Sequence, residues 1–348
     1  MLRWAGILLF AMMSAVSAAE VVYDKDGQIT EKSKKLPSGE WAEVVTVKVK
    51  ANQLVTVTLD AKGFTPYLII TPPNGQQVDR RGEGTQASVS FISVVDGDAA
   101  VVATTTAVTE KGTFHLNVRS GLLEGTLDES CTPLQSGEYS RVVPVWLPPG
   151  EYLVSLGSQA FNPYLILHVG EREINVEDDL GSTNGAARAL AQVLEPTLVG
   201  VQVTSHAKGE KGAWHLFIAP GIPAFDQPRS AAGKLEKGDY DDEGRLSDSY
   251  SMVLAKEQRV KFTAKAVGFV PKLVVYDGAG QRLEAKTEGD TATLSMDNTA
   301  AGTLQILIQG ETPGSGGDYA LTAEPEAPVV GPTAPAAAPL PRGAGGLR

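Results

Sequence analysis

One cysteine in 348 residues leaves no intrachain disulfide framework and no multi-cysteine zinc or iron–sulfur site. Four histidines leave little room for histidine chemistry. Positive charge is also in deficit: 30 Lys and Arg stand against 41 Asp and Glu, for a net charge of −11. Binding to a phosphate backbone depends on a cationic surface, so no nucleic acid partner is expected. Aromatic residues make up only 6%, whereas 37 glycines, 21 prolines and a 42% hydrophobic fraction describe a folded, turn-rich chain.

The single apolar run is N-terminal. Arg3 supplies a positive start, Ile7 to Met13 is apolar, and Val16-Ser17-Ala18-Ala19 offers small residues for cleavage. Ser14, Ser17 and Glu20 interrupt the run before it reaches the ~20 apolar residues of a bilayer span. Residues 1–19 therefore read as a signal for export to the periplasm or the exterior, with no membrane span once it is removed. No cysteine adjoins the cleavage point for lipid attachment.

Internal repetition governs the rest. Phe64-Thr65-Pro66-Tyr67-Leu68-Ile69-Ile70 recurs as Phe161-Asn162-Pro163-Tyr164-Leu165-Ile166-Leu167 and as Phe269-Val270-Pro271-Lys272-Leu273-Val274-Val275. A second marker closes each copy: Gly112-Thr113-Phe114-His115-Leu116, Gly212-Ala213-Trp214-His215-Leu216 and Gly317-Asp318-Tyr319-Ala320-Leu321. A third opens them at Ser38-Gly39-Glu40-Trp41, Ser136-Gly137-Glu138-Tyr139 and, more loosely, Ser247-Asp248-Ser249-Tyr250. Copies of roughly 100 residues are too long for solenoid repeats and large enough for one core each.

Within a copy the period is two. Val45, Val47 and Val49 alternate with Thr46, Lys48 and Lys50, and Leu54 to Leu59 alternates likewise, as half-buried strands do. Asn74-Gly75 and Asp277-Gly278 follow the proline-marked strands, where such dipeptides favour the positive φ of tight hairpins. Short strands punctuated by Gly and Pro predict an all-β chain of three tandem antiparallel β-sandwiches, at residues 20–122, 123–222 and 223–325. Ala186 to Gln192 has helix-forming composition, yet it aligns with the alternating Ser88 to Phe91 and is assigned to a strand. Pro223 to Ser230 reads as a linker. The Pro- and Ala-rich residues 326–348 read as an extended, disordered tail.

The marker set resembles the bacterial pre-peptidase C-terminal domain family, and three divergent copies would cover most of the mature chain. That resemblance implies jelly-roll-like sandwiches, exported, with a binding or accessory role and in some cases bound calcium. The family often has Asp before the marker proline, where this chain has Thr65, Asn162 and Val270. An acidic cluster after the hairpin survives only in the second copy, as Glu177-Asp178-Asp179; the first has Asp79-Arg80-Arg81.

Calcium is the only cofactor with candidate ligands. These are Glu177, Asp178 and Asp179, together with Asp239, Asp241 and Glu243, which place oxygens at alternate positions with Gly244 sixth. Tyr250 stands where such a loop carries a bidentate Glu. Asp24-Lys25-Asp26-Gly27 is also loop-like, with Val22 at the first ligand position. The alternative for the Asp239 and Asp24 segments is a solvated acidic turn. His115 and His215 alternate with apolar neighbours and are expected at the surface; Trp41, Trp214 and Tyr319 are expected in the core. Gly314-Ser315-Gly316-Gly317 reads as a flexible turn, because a nucleophilic serine needs a base and an orienting acid. Cys131 is open to two readings, an intermolecular bridge or a half-buried thiol. The expectation is a non-enzymatic protein that presents sandwich faces to a protein or glycan of the cell envelope. The alternatives are a hydrolase, or hydrolase subunit, with an unrecognised site, and an architectural spacer.

Overall fold

The computed structural model describes residues 19–73, 75–182, 185–237 and 244–327. Residues 1–18, Asn74 of the first expected hairpin turn, most of the tail and the candidate ligands Asp239, Asp241 and Glu243 lie outside them. All regular elements among the described residues are strands. The first third contains β1 (Glu20–Ile29), β2 (Lys34–Lys35), β3 (Trp41–Val49), β4 (Leu54–Lys62), β5 (Pro66–Thr71), β6 (Val78–Arg81), β7 (Gln86–Ile92), β8 (Gly97–Thr105) and β9 (Gly112–Ser120). The second contains β10 (Leu123–Leu127), β11 (Thr132–Pro133), β12 (Tyr139–Leu147), β13 (Gly150–Ser158), β14 (Pro163–Val169), β15 (Arg172–Val176), β16 (Ala186–Val193), β17 (Thr197–Ser205) and β18 (Gly212–Pro220). The third contains β19 (Arg229–Lys234), β20 (Ser247–Leu254), β21 (Arg259–Ala266), β22 (Pro271–Tyr276), β23 (Arg282–Glu284), β24 (Lys286–Glu288), β25 (Thr291–Asp297), β26 (Gly302–Gly310) and β27 (Asp318–Glu326).

One pairing order recurs in all three thirds. In the first, β1-β9-β4-β7 faces β2-β3-β8-β5-β6. In the second, β10-β18-β13-β16 faces a sheet built on β12-β17-β14-β15; in the third, β19-β27-β21-β25-β24 faces β20-β26-β22-β23. These are antiparallel, jelly-roll-like sandwiches. The sequence markers fall at equivalent places: Pro66, Pro163 and Pro271 open β5, β14 and β22, and Gly112 and Gly212 open β9 and β18.

Side chains that alternate inward fill three large apolar clusters, around Phe91 and Val101, around Leu156 and Val201, and around Phe262 and Ile306. The clusters are not sealed from one another. Trp146 of the second sandwich is buried in the first cluster, and Leu54 and Ile92 of the first sandwich belong to the second. This exchange follows from a sheet junction: β7 and β12 run parallel and pair at Ser90–Val145 and Phe91–Trp146, which joins one sheet of each sandwich into a continuous surface.

Several local expectations are corrected. Asp24 to Gln28 is not a loop, because β1 is an edge strand paired with β9 from Glu20–Ser120 to Ile29–Gly112. Its burial alternates weakly since most of its side chains face solvent. After β22, the positive φ falls at Gly280 (79°) and not at Gly278. Asp277 Oδ1 closes that turn by accepting the amides of Ala279 and Gln281 at 2.9 and 2.8 Å. Gly278 is required instead by proximity, as a Cβ there would lie 2.8 Å from Gly302 Cα. The linker, mostly exposed, is anchored at one point: Phe225 is 6% exposed within the third cluster, with the Arg229 guanidinium 5.8 Å from its ring centroid. Glu326, placed in the tail, ends β27 and accepts from Arg259 Nε at 2.9 Å.

Candidate functional site

The acidic cluster of the second sandwich lies at the seam with the third. Beyond β15 the chain runs beside β20. The Ser251 amide donates to Asp178 O at 2.8 Å, the Leu180 amide donates to Ser251 O at 2.8 Å, and Ser251 Oγ donates to Glu177 O at 2.9 Å. Leu180 is thereby fully buried in the third sandwich's core. Next to it Leu190, Val253 and Ala301 form a small apolar contact between the two sandwiches. Leu190 N donates to Thr303 Oγ1 and Gln192 Nε2 to Ala301 O, both at 2.9 Å. This contact explains Ala186 to Gln192. The segment is a strand, as its alignment with β7 indicated, and lacks polar alternation because it is covered on both faces.

The three carboxylates take separate partners. Asp179 is 2% exposed, with Arg188 Nη1 2.7 Å from Oδ2 and Arg229 Nη1 3.4 Å from Oδ1. Burial pushes its carboxyl up, and the two guanidiniums oppose that shift. Burial also raises Asp178, reinforced by the neighbouring Glu177 charge. Glu177 Oε2 lies 2.8 Å from His206 Nδ1, and this bond raises the imidazole's pKa. Glu177, Asp178 and Asp179 thus diverge instead of converging on one point, and no three His, Cys, Asp or Glu side chains among the described residues are grouped to hold a metal. The cluster is a clasp between sandwiches. Its partners Arg188, His206 and Arg229 were not singled out by sequence, which offered no pattern linking them to the cluster.

Above the clasp lies a groove of about 620 Å³ between the second and third sandwiches. Tyr164, Asn175 and Glu177 line one side; Tyr250, Tyr276 and Gln305 line the other. The three tyrosines are half-buried, presenting part of each side chain to solvent. Tyr250 and Tyr319 share a hydroxyl–hydroxyl bond of 2.6 Å, and Tyr319 donates to Asp248 Oδ2 at 2.5 Å. Burial raises the phenols of Tyr164 and Tyr250, so both stay protonated donors at physiological pH.

The remaining candidates are engaged elsewhere. His115 lies at the surface with its side chain 43% exposed, Nε2 2.6 Å from Asp24 Oδ1 and Nδ1 2.9 Å from Asp26 Oδ1; the bond to Asp26 is the main cause of its raised pKa. His215 is exposed too. Trp214 and Tyr319 are core residues at 3% and 4% exposure, whereas Trp41 is half-buried with Lys35 Nζ 5.2 Å from a ring centroid. Ser315 sits in a tied turn, its Oγ donating to Thr312 O at 2.7 Å and the following Gly317 amide bonding Leu235 O. Cys131 is a half-buried free thiol whose Sγ points to Thr126 O at 3.6 Å.

No family model matches the chain, and no curated relative matches it. Among solved structures, the pre-peptidase C-terminal domain of a Bacillus anthracis collagenase aligns at 13% identity over 30% of this chain and 99% of that domain, with a TM-score of 0.25. A periplasmic inhibitor of g-type lysozyme from Salmonella Typhimurium aligns at 13% identity over 30% and 94% of the two chains, with a TM-score of 0.23. A chain of the Sulfolobus Turreted Icosahedral Virus covers 89% of this protein and 90% of its own length at 9% identity and a TM-score of 0.21. No helix of the described residues is long and apolar enough to cross a membrane.

Proposed function

We propose that this is an exported, non-enzymatic binding protein built of sandwiches of the pre-peptidase C-terminal type, and that the groove between its second and third sandwiches receives a glycan of the cell envelope. The observation that carries the reading is the groove's chemistry. Tyr164 and Tyr276 offer aromatic surface to sugar rings, as amphipathic aromatics do at binding sites, and the amides of Asn175 and Gln305 with Glu177 offer directional bonds to hydroxyls. Of the titratable groups beside it, Glu177 pairs with His206 and Asp277 accepts two backbone amides, and no nucleophile, base and orienting acid are aligned among them. The N-terminal segment of small and apolar residues supports export.

The test is retention of the mature chain on immobilised envelope polysaccharides and peptidoglycan, compared with the Tyr276→Ala and Asn175→Ala variants. Each substitution is expected to weaken retention about tenfold, the loss of one anchoring contact. Retention unchanged in both variants, or release of sugar fragments on incubation, would refute the reading.

A further inference from the structure

The junction between the first and second sandwiches holds a second, unrelated cleft, and we propose that it docks an extended, acidic polypeptide segment. β7 and β12 pair at Ser90–Val145 and Phe91–Trp146, near their C-terminal ends. Before those pairs the ladder between them stops. β7 is bound to β4 along one edge from Gln86 to Ile92, and β12 to β17 along one edge from Arg141 to Leu147. The short β11 covers β12 only at Tyr139 and Ser140. No strand among the described residues pairs with the second edge of β7 at Ala87 to Val89 or of β12 at Arg141 to Val143. Facing, unpaired strand edges are templates for another extended backbone.

The cleft encloses about 760 Å³, and its walls differ from the rest of the chain in charge. Arg80, Arg81 and Arg141 line it against the single carboxylate Glu83, in a protein of net charge −11. Glu83 pairs with Arg80 at 3.4 Å but is 91% exposed, a weak and displaceable bond. Arg81 and Arg141 form no ion pair among the described residues; Asp128, within electrostatic reach of Arg141, bonds to Ser130 instead. The floor is the outer face of β12 and β17, where Val142 is 56% and Leu198 43% exposed.

These features select the occupant. Two open strand edges require amides and carbonyls in an extended backbone, which a glycan lacks. Three guanidiniums require carboxylates, and the apolar floor accepts a side chain at alternate positions. The chain's own residues 328–348 include Arg342 and Arg348 and no Asp or Glu, so their charge is wrong for this cleft.

The experiment uses the full mature chain and a fluorescent peptide of alternating Glu and Val, followed by anisotropy. The Glu-Val peptide is expected to bind and its Lys-Val counterpart not to. Arg80→Glu combined with Arg141→Glu, both at partly or fully exposed positions, is expected to weaken binding about tenfold with the circular dichroism unchanged. Glu83→Ala is expected to tighten binding about twofold by freeing Arg80. N-methylation of alternate peptide nitrogens is expected to cost about tenfold, which isolates the backbone contribution. Equal affinity of the charge-reversed variant, indifference to N-methylation, or binding of polygalacturonate in place of the peptide would overturn the proposal. Self-association abolished by the same arginine substitutions would overturn it too, making a second copy the occupant.

Discussion

Asp179 shows how far one residue's role depends on its neighbours. A carboxylate at 2% exposure is tolerated because two guanidiniums reach it, one from β16 and one from β19. Replacing it by Ala leaves both arginines without their counter-charge, although each is about a quarter exposed and partly rehydrates. The expected loss is about 3 kcal/mol in urea unfolding, concentrated in the second and third sandwiches. His206 sets a pH dependence of known sign. Its pKa is raised in the fold by Glu177, so its contribution is fully present below the ordinary value near 6.5 and is lost as pH rises through the folded value. Asp178, raised by burial, acts in the same direction, its contribution present below the ordinary carboxylate range and lost above it. Tm should therefore fall between pH values of about 5.5 and 8.5, and His206→Gln should flatten the decline. A Tm that rises across this interval would contradict the assignment.

At the scale of elements, the sandwich strands were legible because β3, β4 and their counterparts bury one face and expose the other. The opening edge strands β1, β10 and β19 were not, since they bury little and show no clean alternation. A signal was nevertheless present. Gly27, Gly125 and Gly233 each sit opposite the aromatic of a closing strand, Phe114, Trp214 and Tyr319. A Cβ built on them would lie 2.2 Å from the Phe114 ring, 2.2 Å from the Trp214 ring and 2.3 Å from the Tyr319 hydroxyl. The aromatic folds across the edge strand and only glycine leaves it room. Gly125→Ala is expected to cost about 2 kcal/mol by overpacking, against almost nothing for Glu124→Ala on the same strand, as read by denaturant midpoints. The acidic cluster at 177–179 was visible in sequence but its chemistry was not. Metal ligation and ion pairing begin from the same carboxylates, and the arginines that decide between them arrive from β16 and β19 through tertiary folding.

For the whole molecule, the two seams are of different kinds. The first is a shared sheet with side chains exchanged between cores; the second is a short backbone ladder with a buried ion cluster. Coupling across the first should be apolar and insensitive to salt; across the second the ion cluster adds an electrostatic part to the apolar contacts of Leu180 and Leu190. Trp146→Ala is expected to cost about 3 kcal/mol and to separate the calorimetric transition of the first sandwich from that of the second. A single transition, shifted as a whole, would mean that the sheet junction alone couples them.

The indole that crosses from one interior to the next also constrains how such a chain can change over generations. A gene segment encoding the middle third cannot be cut out, copied or exchanged as a self-sufficient cassette, because its departure empties a hole the size of a tryptophan in the neighbour that stays behind. Recombination should therefore spare this boundary, and lineages that gain or lose a module should do so at the far end, where the side chain lent across the joint is the smaller Leu180 and no sheet is shared.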